Sequence, residues 1–436
     1  MDRNTLLTLL PALASIVGIS HTLLTAEHGW PPPNLSLAIG ASIAGPLVAL
    51  LVLTGAGLDF DWILVATAAM LTGIGTATLF SFSLTQGADG EFYHGIVIRH
   101  AFFVGTGFLA LIAGAILSRR LDEIRRYPFT LLGLAIGLTA TTVVVGQTVN
   151  GARLWLRIGP VQFQPSEVAR LLLAAFVAIY LYEHRYLVVA PWRLGSIDLP
   201  PVPYLLPLAA AVLAAVAVLV FQNDLGMAAL VVLGAFASIA TVLSSKRSLS
   251  SAGAALLLAA IASNAAAPRV RDRVAGWLEP WHDPIGRGFQ FVQADYGLSA
   301  GGLFGAPSPG LAARVPEVHT DFILVGIATQ WGLLGAVAVL ALLSVLVCRC
   351  VSAALNAASD FHSLLALAIA TLIGSQVLLI LAGTLRVLPL TGLTVPLVSF
   401  GGTSMIATLF ALGAVAGIGS SAVGETRTLN VRPKSW

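Results

Sequence analysis

The feature that most constrains this chain is a succession of long apolar segments separated by short polar connections. Each segment has about 17 to 25 residues, the length that an α-helix needs to cross the hydrocarbon core of a bilayer. The segments lie near residues 5–24, 36–56, 61–84, 95–117, 128–147, 167–182, 202–221, 225–243, 250–268, 322–347, 363–388 and 395–419. They predict an all-α polytopic membrane protein with about twelve transmembrane helices.

The composition favours the same class of protein. Hydrophobic residues make up 57% of the 436 residues and charged residues only 10%, whereas a soluble domain carries about 25% charged residues. The net charge is only +3, so no nucleic-acid partner is expected. Cys348 and Cys350 are too few for a disulfide framework, and they lack the partners of a metal site.

The positions of lysine and arginine predict the orientation in the membrane. With the N-terminus in the cytoplasm, the cytoplasmic connections hold most of the basic residues, as the positive-inside rule requires. These residues are Arg119, Arg120, Arg125, Arg126, Arg185, Arg193, Lys246, Arg247, Arg349, Arg427, Arg432 and Lys434. Both termini are therefore expected in the cytoplasm, and a short polar tail without regular structure is expected over residues 421–436.

One long polar stretch, residues 269–321, interrupts the apolar series. It holds five arginines, six acids and two histidines, and the predicted orientation makes it an extracellular loop before the tenth helix. Chemistry is most expected here, although a solvated, charge-balanced loop is the alternative for any single arginine. The sequence has no Walker-type glycine loop and no HExxH motif, so ATP hydrolysis and zinc catalysis are not expected.

Polar residues inside apolar segments are the next candidates, because each is costly unless it faces a cavity or a partner. Glu167 and Arg170 lie three residues apart on a predicted helix, so they share a face and can pair. Ser166 could cap that helix. The other such groups are Arg99 with His100, Asp224 after Gln222, and Arg386, for which snorkelling to the interface is the alternative.

Five motifs in order carry a family resemblance. They are GARLWLRIGPVQFQPSEVAR (151–170), QNDLG (222–226), DPIGRGFQFVQADYGLSAGGLFG (283–305), VPEVHTDFILVGIATQWGLLG (315–335) and LPLTGLTVPLVSFGGTS (388–404). The chain resembles the SEDS (shape, elongation, division and sporulation) family, typified by the RodA and FtsW peptidoglycan polymerases. The resemblance implies a ten-helix membrane core over residues 61–420, preceded by a two-helix addition over residues 1–60. It departs from the family pattern at Asn223, where QPDLG has proline.

The resemblance also implies a reaction and partners. The substrate would be lipid II, whose sugar is added to a growing glycan strand at the outer face of the cell membrane, with inversion and loss of the lipid diphosphate. A class B penicillin-binding protein would be the transpeptidase partner. Two alternatives of other classes stay open: a flippase that transports lipid II, and a scaffold for that transpeptidase.

The acids of the outer loop are candidate ligands for Mg²⁺ or another divalent cation, although no ligand spacing identifies a metal site.

The family match assigns Asp283 as the catalytic base that takes the proton of the attacking hydroxyl. Asp283 before Pro284 is also a good helix N-cap, a role that does not exclude catalysis. Arg287 could pair with Asp283 or face the substrate diphosphate, and we expect the second. Gln290 of the same motif is a candidate substrate-binding residue.

Further substrate-binding candidates lie in three other motifs. Glu167 and Arg170 are expected to face a central cavity, with an intramembrane ion pair as the alternative. Arg153 and Arg157 are candidate phosphate ligands, with interface anchoring as the alternative. Ser399 is a candidate hydrogen-bonding group across the cavity. Two packing roles are also expected, a helix cap at Thr320 and Asp321 and close backbone contact at Gly401 and Gly402.

Overall fold

The computed structural model describes residues 33–56, 60–85, 88–149, 151–159, 161–189, 192–194, 197–199, 202–242, 268–306 and 309–429. The predicted spans at 5–24 and, except for its last residue, at 250–268 lie outside these described residues. The chain forms two compact units. Unit 1 comprises residues 1–123, 294–370 and 394–436, and unit 2 comprises residues 124–293 and 371–393.

The described chain is mostly helical. The helices are α1 (Pro33–Gly55), α2 (Trp62–Ser83), α3 (Ala88–Leu117), α4 (Leu121–Ile124), α5 (Pro128–Val145), α6 (Pro165–Val189), α7 (Val202–Phe221), α8 (Leu225–Val242), α9 (Pro268–Leu278), α10 (Phe289–Gly301), α11 (Pro309–Ala313), α12 (Ile323–Leu355), α13 (Asp360–Thr384) and α14 (Gly402–Leu429). Short strands occur in two places, as β1 (Gln147–Val149), β2 (Ala152–Ile158) and β3 (Val161–Phe163), and as β4 (Trp192–Leu194) and β5 (Ile197–Leu199).

Among the described residues, eight helices are long and apolar enough to cross a membrane. They are Trp62–Ser83, Ala88–Ile124, Pro128–Val145, Pro165–His184, Leu225–Val242, Ile323–Leu355, Asp360–Thr384 and Gly402–Gly419, and shorter apolar helices cover Gly40–Gly55 and Leu205–Phe221. The chain is therefore a polytopic membrane protein. Helix α14 continues to Leu429, so the prediction that the tail lacks regular structure from residue 421 is wrong for its first part.

In unit 1 helix α3 packs against α1, α2 and α14. Small residues allow these contacts: a Cβ at Gly413 would lie 1.9 Å from the carbonyl oxygen of Leu111. The prediction of close backbone contact at Gly402 is corrected, because its neighbour is a side chain. A Cβ on Gly402 would lie 2.5 Å from the ring of Phe103 on α3.

Helix α12 changes direction at Gly332, where φ is 71° and ψ is −174°. After this kink the amides of Leu333 and Leu334 do not continue the helical pattern but donate to the carbonyl oxygens of Gly302 and Leu303, over 3.0 and 3.3 Å. Backbone groups freed at a kink must find such partners where water is excluded. The kink therefore fixes the end of α10 against α12.

Unit 2 contains a structure that the sequence analysis did not predict. Residues 147–163 form a three-stranded antiparallel sheet between α5 and α6, in the order β1-β2-β3. The connection between α7 and α8 touches this sheet, since the amide of Arg153 donates to the carbonyl oxygen of Gln222 over 3.4 Å. Asn223 in this connection has a φ of 66°, a value closed to proline. We call this part of unit 2 the hairpin end.

The stretch 269–321 is structured over most of its length. It contains α9, a short 3₁₀ turn (Pro280–His282), α10 and α11. The predicted cap at Thr320 and Asp321 is wrong: α12 begins after Phe322, without a side-chain cap. The Thr320 hydroxyl donates instead to the carboxylate of Glu317 over 3.0 Å.

Candidate functional site

A buried ion pair on α6 forms the polar core of unit 2. Glu167 and Arg170 contact each other over 2.8 Å, and their side chains are only 6% and 2% exposed. The expectation that they share a helix face and pair is confirmed. Arg170 also donates to the side-chain oxygen of Gln376 on α13 over 2.6 Å. Ser166 does not act as the predicted cap, since its hydroxyl has no partner among the described residues.

A second buried acid lies between α7 and α8, outside both spans. The carboxylate of Asp224 accepts hydrogen bonds from the amide of Met227 over 3.1 Å and from the side chain of Gln164 over 3.4 Å. Burial raises the pKa of Asp224 to about 6, and the negative charge of Glu167 adds to this effect. Three groups lower the pKa of Asp224 and so oppose this effect: the Met227 amide, the positive charge of Arg273 and the side chain of Gln164.

Strand β2 presents the two candidate phosphate ligands. Arg153 and Arg157 lie on the same face of the strand, because side chains alternate and the two are four residues apart. Both are exposed, and about 13 Å of strand separates them. The Arg153 guanidinium also donates to the Thr148 hydroxyl over 3.1 Å, which holds it against β1.

A series of contacts joins the hairpin end to the loop that carries Asp283. A Cβ on Gly226 would lie 2.1 Å from the carbonyl oxygen of Thr391, so these backbones touch. Both Thr391 and Arg386 belong to the segment that follows α13. The indole of Trp277, on α9, donates to the carbonyl oxygen of Arg386 over 2.8 Å. Helix α13 ends at Thr384, so Arg386 lies two residues beyond its end.

Asp283 lies in a tight turn after α9. Its carboxylate accepts hydrogen bonds from the amides of Gly286 and Arg287, each over 3.0 Å. The turn closes when the Gly288 amide donates to the Asp283 carbonyl oxygen over 3.0 Å. The predicted capping geometry is thus present, although it caps a turn and helix α10 begins only at Phe289.

The electrostatics of the turn keep Asp283 ionised. The side chain is exposed to solvent. The pKa of Asp283 is held below its ordinary value by the hydrogen bond from the Arg287 amide and by that from the Gly286 amide. The positive charges of Arg287 and His282 lower it further. The carboxylate is therefore ionised and solvent-exposed at neutral pH, and its lowered pKa makes it a weaker base than an ordinary aspartate.

Arg287 pairs with a different acid from the one considered in the sequence. Its guanidinium lies 3.4 Å from the carboxylate of Asp272 on α9, and both side chains are more than half exposed. An exposed pair of this kind is weak, worth about 0 to 1 kcal/mol, so Arg287 is available to an anion. Gln290 follows at the start of α10 and is half-buried.

Ser399 belongs to unit 1 and is buried there. Its hydroxyl donates to the carbonyl oxygen of Thr320 over 2.6 Å and accepts from the amide of Val395 over 2.9 Å. These two bonds stabilise the segment before α14, so the hydroxyl has a structural role here. All the other candidate site residues lie in unit 2.

His319 occupies an aromatic environment in unit 1. Its ring lies 5.6 Å from Phe92, 6.0 Å from Tyr93 and 6.1 Å from Phe400 between centroids. Burial lowers the pKa of His319 and the charge of Arg99 adds to the lowering, whereas the nearby Glu317 carboxylate opposes it. This geometry favours a neutral, packed imidazole.

Sequence reasoning missed two polar contributors to unit 2. Gln376 is an amide within an apolar run, a signal that intramembrane polarity could have identified. Trp277 acts through its indole N–H, and no pattern in the sequence indicates its partner. Among the described residues, no group of three or more His, Cys, Asp or Glu side chains could hold a metal ion.

A match to a family model establishes the family to which the chain belongs. Residues 61–423 match the model for FtsW, RodA and SpoVE, described as a cell cycle protein. This chain belongs to the FtsW/RodA/SpoVE family. The match begins at residue 61, so helix α1 lies outside it.

Individual relatives of this FtsW/RodA/SpoVE protein agree over most of its length. Peptidoglycan glycosyltransferase RodA of Mycobacterium tuberculosis is 30% identical over 384 residues, which cover 86% of this chain and 80% of the relative. A solved structure described as a peptidoglycan synthase complex that coordinates polymerization and crosslinking has a TM-score of 0.66 at 32% identity, covering 84% of this chain and 99% of that one. The crystal structure of Thermus thermophilus RodA has a TM-score of 0.58 at 30% identity, covering 83% and 97%.

Proposed function

We propose that this protein is a peptidoglycan glycosyltransferase that polymerises lipid II at the outer face of the cell membrane. Family membership supports the activity, because the Mycobacterium tuberculosis relative bears that name. The observation that carries the mechanism is the Asp283 carboxylate, exposed and held by two backbone amides in a turn of the DPIGRGFQ motif.

In the proposed reaction the 4-hydroxyl of the acceptor sugar attacks the anomeric carbon of the donor. Asp283 accepts the hydroxyl proton as the new carbon–oxygen bond forms. The bond between the anomeric carbon and the diphosphate oxygen breaks with inversion, and its electron pair leaves with undecaprenyl diphosphate. The charge that develops on this leaving group needs cationic stabilisation.

Exposed arginines are the proposed ligands of the diphosphate. Arg153 and Arg157 share one face of β2, and the ion pair of Arg287 with Asp272 is exposed and weak. Guanidinium groups bind phosphate oxygens through two parallel hydrogen bonds, which gives both energy and orientation. Glu167 and Arg170 are buried against each other, so we assign them to shaping the polar core rather than to direct contact with the diphosphate.

The proposal includes an orientation and a partner. The basic connections predict cytoplasmic termini, which places the Asp283 turn and the hairpin end outside. A class B penicillin-binding protein is the proposed partner, since a similar solved structure is described as a complex coordinating polymerization with crosslinking. Growing glycan strand and membrane lipid are the other proposed contacts.

The test compares wild-type protein, Asp283→Asn and Glu279→Gln in glycan synthesis from lipid II with the partner present. Glu279 is an exposed acid of the same loop, so its variant controls for loss of a surface charge. We expect Asp283→Asn to lose about 10²- to 10⁴-fold in rate and Glu279→Gln to keep full activity. Full synthesis by Asp283→Asn would remove the assigned base.

The same preparation separates the enzyme from a lipid II transporter. Vesicles with fluorescent lipid II report transport across the bilayer independently of polymerisation. We expect wild-type protein to form glycan without accelerating lipid exchange. Fast exchange by both wild-type protein and Asp283→Asn, without synthesis by either, would favour the flippase.

A further inference from the structure

The turn that carries Asp283 contains two glycines whose surroundings differ. A Cβ at Gly288 would lie 2.0 Å from the carbonyl oxygen of Pro280, which is backbone. A Cβ at Gly286 would instead meet the Asp283 carboxylate, with its oxygens at 2.3 and 2.6 Å. Gly288 is thus required by the backbone, whereas the space beside Gly286 is occupied by the side chain of the acid.

The backbone of Gly286 does not itself require glycine. Among the described residues the positive-φ glycines are Gly151, Gly159, Gly302, Gly305, Gly332 and Gly392, and Gly286 is absent from this set. Alanine can therefore adopt its conformation. The Gly286 carbonyl oxygen accepts from the Phe289 amide over 3.2 Å, a bond that a methyl group at Cα does not remove.

The space beside Gly286 allows the Asp283 carboxylate to hold a fixed position. Asp283 is exposed, and an exposed side chain otherwise samples several rotamers. Two amides, one on each oxygen, hold it in a single orientation. Each carboxylate oxygen has further acceptor capacity, so a substrate hydroxyl can still approach while both amide bonds remain.

We propose that Gly286 is a positioning residue: by lacking a side chain it leaves the Asp283 carboxylate room to sit in the cradle of the Gly286 and Arg287 amides. The inference rests on the proposed role of Asp283 as the base. It adds that the geometry of this base is set by a neighbour that touches neither sugar nor diphosphate. Displacing a reacting group by about 1 Å can cost about 10²-fold in rate.

The first experiment measures glycan synthesis from lipid II by Gly286→Ala in the full-length protein with its partner. We expect kcat to fall by about 10- to 100-fold with KM little changed, while melting temperature and elution volume stay at wild-type values. Gly133→Ala is the matched control, because Gly133 lies on α5, where an added Cβ would meet nothing within 4 Å. Wild-type kcat in Gly286→Ala would overturn the proposal.

The pH profile separates positioning from a general loss of structure. In wild-type protein the amides hold the pKa of Asp283 below its ordinary value, so activity should not fall through Asp283 protonation between about pH 7 and pH 5. A carboxylate pushed out of the cradle loses those bonds, and its pKa rises. The acidic limb of Gly286→Ala should therefore move to higher pH, and an unmoved limb contradicts the proposal.

A double variant keeps the inference testable if Gly286→Ala is less stable than expected. If Gly286 acts through Asp283, adding Gly286→Ala to Asp283→Asn lowers the residual rate no further. Multiplicative losses would show an independent structural role and overturn the proposal. Full activity of Asp283→Asn alone is a separate outcome, which removes the proposed base whatever Gly286 does.

Discussion

The indole N–H of Trp277 donates to the backbone carbonyl oxygen of Arg386, with 2.8 Å between nitrogen and oxygen. Arg386 has a φ of 57°, an unfavourable conformation for a residue with a side chain. The bond therefore links a strained turn after α13 to the helix that precedes the Asp283 turn. In this way the loop position depends on the segment that follows α13.

Replacing Trp277 with phenylalanine should loosen this attachment. The ring remains but its donor is lost, which costs about 1 kcal/mol and leaves the carbonyl group of Arg386 without that partner. We expect faster hydrogen–deuterium exchange in peptides from α9 and from the segment after α13, together with reduced glycan synthesis. Unchanged exchange in both segments would show that the indole bond does not hold the loop.

The Glu167–Arg170 pair should respond asymmetrically to substitution. Arg170→Met leaves the Glu167 charge buried and uncompensated, which costs about 3–5 kcal/mol. Glu167→Gln should cost less, because Arg170 retains its bond to Gln376. The double variant should be more stable than Arg170→Met alone, as measured by thermal unfolding in detergent. Simple addition of the two single effects would argue against coupling.

Asp224 should give the protein a pH-dependent stability. Its folded-state pKa of about 6 exceeds the ordinary 3.8, so the folded state binds a proton that the unfolded state has lost. Stability therefore falls as the pH rises from about 4 to about 6, by on the order of 3 kcal/mol, and is then constant. Asp224→Asn should remove this decline from the curve of melting temperature against pH. A variant curve parallel to that of wild type would contradict the assignment.

The two arginines of β2 should affect substrate binding without affecting the fold. Each side chain is exposed, and so are its hydrogen bonds within the protein, so Arg153→Gln and Arg157→Gln should change the melting temperature little. Loss of one charge-assisted phosphate contact of about 1.5–3 kcal/mol raises KM for lipid II by about 10- to 100-fold. Arg126→Gln is the matched control, since Arg126 is exposed and precedes the opposite end of α5. An equal KM in all three variants would exclude the hairpin as the diphosphate site.

The sequence predicts where apolar helices lie because their length and apolar content are local properties. The count of about twelve membrane helices stays a prediction, since eight helices of the described residues are long and apolar enough to cross a membrane and α7 is a shorter apolar helix. The span expected at 128–147 is α5, Pro128–Val145, and that expected at 202–221 is α7, Val202–Phe221. The pairing of Glu167 with Arg170 was also accessible, since helical spacing alone places both on one face. Contacts between distant segments depend on how helices pack, so the sequence could mark Gln376 as a polar residue in an apolar run but could not indicate that it contacts Arg170.

The three-stranded sheet was missed although its signal is present. Residues 152–158 alternate between Arg153, Trp155 and Arg157 on one face and alanine, leucine or isoleucine on the other, a period of two that is typical of a strand. Gly151 and Gly159, which flank the strand, both have positive φ. The apolar content of the neighbouring helices masked this short element. The cap expected at Thr320 failed for another reason, because α12 begins only after Phe322 and Thr320 therefore precedes the cap position by two residues.

The left-handed backbone at Asn223 limits how this chain can be engineered from its relatives. A substitution toward the QPDLG pattern that residues 222–226 resemble would replace Asn223 with proline. Proline requires a φ near −65° and has no N–H, whereas here φ is 66° and the amide donates to Val220. Proline would thus be incompatible with the backbone at position 223, whereas glycine is a substitution that this backbone accepts.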